Sequence, residues 1–174
     1  IPGAGPLLRR LAPSSISSSR PKALAMLDHA SSWGGAYLLR RGLFMPFELT
    51  ELLGRDVVRD GLHRLNLAGL FDNALTPDPG SSHNHVSTLE LNFYMRNQLL
   101  RDADWTGMAH SLEIRTPFVD SEFFQSVAGD VGNLSRGEGK AALARSPNKP
   151  LPPEISNRPK TGFGVPTGQW TAAV

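Results

Sequence analysis

The chain has 174 residues, enough for one domain that buries about 70% of its unfolded surface. Its 40% hydrophobic and 20% charged residues, with a mean hydropathy of −0.23, exclude a strongly charged disordered chain, and no window approaches the roughly 18 apolar residues of a membrane-spanning helix. Lys and Arg outnumber Asp and Glu by only 18 to 16, too little for a nucleic-acid footprint, and the lack of cysteine removes disulfides, cysteine-ligated zinc and thiol nucleophiles.

Residues 1–21 open on Ile1-Pro2-Gly3 rather than Met and run through glycine, proline and a serine cluster, which predicts a linker in a piece of a longer chain. From Lys22 to Arg41, Leu24, Leu27, Trp33, Tyr37 and Leu38 recur at loose helical spacing around Gly34-Gly35, consistent with two helices or one broken helix. Pro46, Leu49, Leu52, Leu53 and Gly54 predict a short helix with proline at its start and glycine past its end. Val57, Leu62, Leu65, Leu67 and Leu70 continue the helical pattern to residue 71, and Thr76-Pro77-Asp78-Pro79-Gly80 breaks it. Ser87-Thr88-Leu89-Glu90 reads as a capping box that starts a helix towards Leu100, and the apolar residues around its circumference predict that it is mostly buried. No run has the alternation of a strand, so the chain by itself reads as mainly helical.

Two segments concentrate polar chemistry. In Arg101–Asp120, charges alternate with apolar residues, and Pro117 biases Thr116 towards extended geometry, so the helical phase ends there and Asp120 can cap a helix at Ser121. Glu113, Arg115 and Asp120 have two readings: a buried ion network that fixes this turn, or part of a functional site. In Asn157–Trp170, Gly162, Gly164 and Gly168 permit close backbone approach and would let a loop carry Lys160 to a phosphate, although a surface loop explains the same composition. The stretch matches neither the Walker pattern nor the dinucleotide fingerprint. His83-Asn84-His85 lacks a third metal ligand, so both histidines are expected in a solvent-facing loop, with no metal site in this chain.

Taken together, these segments resemble the C-terminal synthetase domain of glutamine-hydrolysing asparagine synthetases. The matching residues are Leu100, Asp104, Met108-Ala109, Leu112-Glu113, Arg115 and Pro117-Phe118-Val119-Asp120, then Gly139-Lys140 and Leu143, then Leu151-Pro152, Ile155, Arg158, Lys160, Gly162-Phe163, Pro166 and Trp170. Tyr37–Phe44 also looks like the family's upstream helical stretch, which extends the resemblance over about residues 35–170. It implies that residues 22–174 are the helical C-terminal part of an adenine-nucleotide alpha-hydrolase-like (PP-loop) α/β synthetase domain whose parallel sheet lies upstream.

The resemblance further implies a cytoplasmic, ATP-dependent ligase in which an N-terminal cysteine glutaminase releases ammonia. The synthetase domain adenylates the aspartate side chain, using ATP with Mg²⁺ bound mainly by upstream residues, and ammonia attacks the adenylate to give asparagine. Its partners are then aspartate, ATP, glutamine-derived ammonia, the upstream glutaminase and ATP-loop segments, and a second copy in a homodimer, with neither nucleic acid nor membrane among them. Lys160 matches the family lysine that stabilises charge at the α-phosphate and departing pyrophosphate. Gly162, Lys140 and Arg158 match positions near the nucleotide, while Asp104, Glu113, Arg115 and Asp120 match positions that support the wall of the site. This chain alone is expected to be inactive, because the S-G-G-x-D-S ATP loop and the nucleophilic cysteine do not occur in it. Trp105 stands where the family usually has a basic residue and Gly107 where it often has serine, which leaves open a related amide-forming synthetase with another acceptor carboxylate. A non-catalytic helical interaction module is the alternative from a different class.

Overall fold

The computed structural model describes residues 21–134, 137–159 and 167–172, and among them there is no β-strand. The mainly helical expectation therefore holds for every described segment. The chain divides into two compact units, residues 1–116 and 117–174. The expected linker lies outside the described residues apart from Pro21, which begins the first helix.

In the first unit, α1 (Pro21–His29) packs against α2 (Trp33–Arg41), so the stretch forms two helices, but the break falls at residues 30–32 and Gly34-Gly35 lies inside α2. Ser32 makes the break: its extended backbone leaves its hydroxyl free to accept the Gly35 N–H at 3.0 Å. The short helix α3 (Leu49–Leu53) starts three residues after Pro46, because residues 46–48 form a turn in which the Glu48 carboxylate accepts the Met45 N–H at 2.7 Å. Gly54, with φ 83°, turns the chain directly into α4 (Arg55–Leu65). Asn66 then adopts the left-handed conformation between α4 and α5 (Leu67–Ala74), and its side chain accepts the Gly69 N–H.

The next helix begins earlier than the capping-box pattern predicts. Helix α6 (Ser82–Leu89) is capped by Ser81, whose hydroxyl accepts the Asn84 N–H at 3.2 Å. Ser87 is thus inside a helix, and Glu90 reaches across to Arg41 instead of back to the Ser87 N–H. From Glu90 to Leu100 the backbone is π-helical (π1), and it continues into α7 (Arg101–Met108). π1 is not mostly buried: none of its residues falls in the buried class, and Leu99 remains 42% exposed. Its Phe93 side packs on the core of Tyr37, Phe71 and Leu89, and the rest of its apolar circumference meets no comparable core among the described residues. Gly34 lets α2 approach α5, since a Cβ there would lie 2.7 Å from the Phe71 side chain.

In the second unit, a 3₁₀ turn (Pro117–Val119) leads into α8 (Ser121–Gly132). Asp120 caps α8 as expected, its carboxylate accepting the Glu122 and Phe123 N–H groups, both at 3.0 Å. Helix α9 (Glu138–Arg145), the single turn α10 (Pro153–Ser156) and α11 (Thr167–Ala172) follow.

Candidate functional site

The second unit contains a cleft of about 730 Å³, lined by one of the residues singled out from the sequence, Lys140. Gly137, with φ 87°, redirects the chain into α9, whose first turn presents Gly139 and Lys140 to this cleft. Arg145 lines it from the other end of the same helix. The opposite wall comes from Leu151, Pro153, Ser156 and Asn157, and it is pinned to α9 by the Leu151 N–H donating to the Ala144 carbonyl at 3.0 Å. The described lining therefore carries two cations and no carboxylate, which suits an anionic group.

Lys140 is brought into this cleft, and Arg158 immediately follows the lining residue Asn157. Both side chains are exposed. Lys160 and Gly162 lie outside the described residues.

The four residues expected to support the wall of a site are differently disposed. Asp104 is exposed on α7, and Asp120 is occupied in capping α8. Glu113 and Arg115 pair at 3.0 Å, but their side chains are 71% and 83% exposed, so the buried ion network is not what this segment forms.

The histidines also differ from expectation. His83 is exposed, as expected, but it sits on α6 rather than in a loop. His85 keeps only 12% of its side chain accessible: its ring stacks on Trp33 at a centroid distance of 4.7 Å, with Nε2 3.3 Å from Asp78 and Nδ1 2.9 Å from the Ser81 carbonyl. Among the described residues, no group of three His, Asp or Glu is placed to hold a metal ion.

A constellation that the motif reading missed lies in the first unit. Arg41 donates through Nε and Nη2 to both oxygens of Glu90, at 2.9 and 2.7 Å, and its guanidinium lies 3.6 Å from the Tyr94 ring centroid. The hydrogen bond to Glu90 is the main reason that Arg41 holds its proton more tightly than an ordinary arginine. Burial, followed by the negative charge of Glu90, pushes the Tyr37 phenol above its usual value. The only sequence signal was Glu90 and Tyr94 four residues apart, which one helix can present together.

Comparison with known proteins gives one consistent result. The family profile described as asparagine synthase matches residues 7–173. The chain belongs to the asparagine synthase family. It is 36% identical over 117 residues to proteins of Mycobacterium bovis and Mycobacterium tuberculosis, each named "Putative asparagine synthetase, glutamine-hydrolyzing", covering 66% of this chain and 17% of theirs. Asparagine synthetase (glutamine-hydrolyzing) 1 of Bacillus subtilis is 34% identical over 92 residues, covering 52% of this chain and 15% of its own. The matched regions thus span less than a fifth of these relatives. No solved structure matches the chain.

The two departures from the asparagine synthase pattern have local physical settings. Gly107 is buried, and a Cβ there would lie 2.8 Å from the Leu112 carbonyl oxygen and 3.0 Å from the Ile114 side chain, so no serine fits without a shift. Trp105 is 62% exposed and carries the Arg101 guanidinium 4.7 Å from its ring centroid.

Proposed function

We propose that this chain is the helical C-terminal part of a glutamine-dependent asparagine synthetase that adenylates a carboxylate, the aspartate side chain, and forms an amide with glutamine-derived ammonia. The observation that carries this reading is the family match over residues 7–173, joined to a cleft that holds Lys140 and Arg145 without an acid in its described lining. Adenylation concentrates negative charge on the α-phosphate and the departing pyrophosphate, and preorganised cations lower that barrier.

In this reading, Lys160 supplies the principal charge, with Gly162 allowing close approach and Lys140 and Arg158 adding to the positive field. Asp104, Glu113, Arg115 and Asp120 support the wall. The donor set of the cleft fits the phosphates of ATP. It does not fit Mg²⁺, because the described lining holds no carboxylate, so none of its residues is assigned to that ion. The glutaminase and ATP-loop segments are taken to belong to the complete enzyme, as is its cytoplasmic location.

The test is ATP–pyrophosphate exchange and asparagine formation in the complete enzyme. Lys160→Ala should lower both by roughly 10²- to 10³-fold, the scale for losing one preorganised transition-state donor. Lys140→Ala should cost less, because its side chain is exposed to solvent. Near-normal exchange in Lys160→Ala would remove Lys160 from this role. Exchange stimulated by another carboxylate and not by aspartate would change the acceptor.

A further inference from the structure

We propose that the first unit carries a binding site for a planar aromatic carboxylate, in the cleft of about 420 Å³ bounded by α2, α5 and π1. This inference does not rest on the amide-forming reading. The cleft volume is within the range of small-molecule sites, and its lining is the usual combination of an apolar body with a few polar groups.

Tyr37 and Phe71, both buried, form the base, with ring centroids 5.8 Å apart in an edge-to-face arrangement. Phe93 and Tyr94, both half-buried, bring aromatic surface to the cleft from π1. Phe93 completes the ring cluster, 5.1 Å from Phe71 and nearly perpendicular to it. Such a surface favours a flat ring over a branched aliphatic one, because an aromatic guest can continue the edge-to-face and offset contacts. The wall is also rare in kind, since π-helical turns widen the helix and gather at functional sites.

Charge selects the second feature of the ligand. Arg41 is already matched by Glu90 through two hydrogen bonds, so it fixes the Tyr94 face without adding an unmatched charge. Arg40, the adjacent residue, also lines the cleft, is exposed, and makes no ion pair among the described residues. No acidic residue appears among the described residues of the lining. One uncompensated guanidinium beside an aromatic surface recognises a carboxylate on a ring, and its forked donors suit two carboxylate oxygens.

The experiment is calorimetric titration of the full chain with 2-naphthoate, its neutral carboxamide and cyclohexanecarboxylate. The expected result is saturable binding of one 2-naphthoate per chain, at least tenfold tighter than either analogue. Arg40→Gln should weaken binding by about tenfold, Arg40→Lys should recover part of it, and Arg145→Gln in the other unit should leave it unchanged. Ligand contacts to Phe93 and Tyr94 ring protons in nuclear Overhauser spectra should locate the site. Non-saturating heats up to millimolar ligand, equal affinity for the carboxamide, or an unchanged affinity in Arg40→Gln would each overturn the proposal.

Discussion

At the residue scale, glycine positions in the first unit provide opposite tests of the same physical argument. Gly61 lies within α4 with nothing within 4 Å of where a Cβ would stand, so Gly61→Ala should stabilise the chain by about 0.5–1 kcal/mol through reduced backbone entropy. Gly107 is also helical, but its Cβ position meets backbone, so Gly107→Ser should destabilise by about 1–3 kcal/mol. Thermal unfolding followed by circular dichroism should move in opposite directions for the two variants; a shared sign would refute the close approach at Gly107.

Tyr37 adds a pH dependence. Its phenol is raised in the folded state, chiefly by burial, so the folded form prefers the neutral ring. That contribution is fully present below the ordinary phenol pKa near 10 and is lost as pH rises through the folded value. Stability should therefore fall on the alkaline side, and Tyr37→Phe should flatten that fall when urea midpoints are compared from pH 8 to 11.

Among the elements, the caps show how much of the helix boundaries was legible. Asp120 was recognisable because a short acceptor directly preceded an apolar helical stretch, and the structure uses it as such. Asp120→Ala should cost about 1 kcal/mol and speed amide exchange at Glu122 and Phe123, the two N–H groups it holds. Unchanged protection at both amides would show that the cap contributes nothing. Ser87–Glu90 has a textually better cap pattern, yet it lies inside a helix. The reason is competition: Ser81 is already a cap earlier in the chain, and the Glu90 carboxylate gains a two-pronged partner in Arg41, 49 residues away. Local spacing cannot register that partner.

For the whole molecule, apolar helical faces are left exposed in each unit. Leu43, Leu52, Leu53 and Val57 in the first unit are each more than half exposed, as are Phe118 and Ile155 in the second. The core of the first unit is correspondingly small, centred on Tyr37, Phe71 and Leu89. The chain should therefore bind 1-anilinonaphthalene-8-sulfonate in its native state with a several-fold rise in fluorescence, which mild urea would change little before the unfolding transition. A folded chain that leaves the dye dark would mean that these side chains are covered.

The sequence by itself determined the helical class, the breaks at Gly54 and residues 76–80, the Asp120 cap and the family. Each rests on residues close together in the chain or on a fixed motif spacing, and both survive without knowledge of the third dimension. Tertiary structure decided which polar residues meet. Glu113 and Arg115 pair in the open, while His85 finds Trp33 and Asp78 and so leaves the solvent. The Arg41–Glu90–Tyr94 cluster and its aromatic cleft likewise exist only because α2 packs beside the α6–π1 helix, bringing together side chains whose separation in the chain gives no periodic signal.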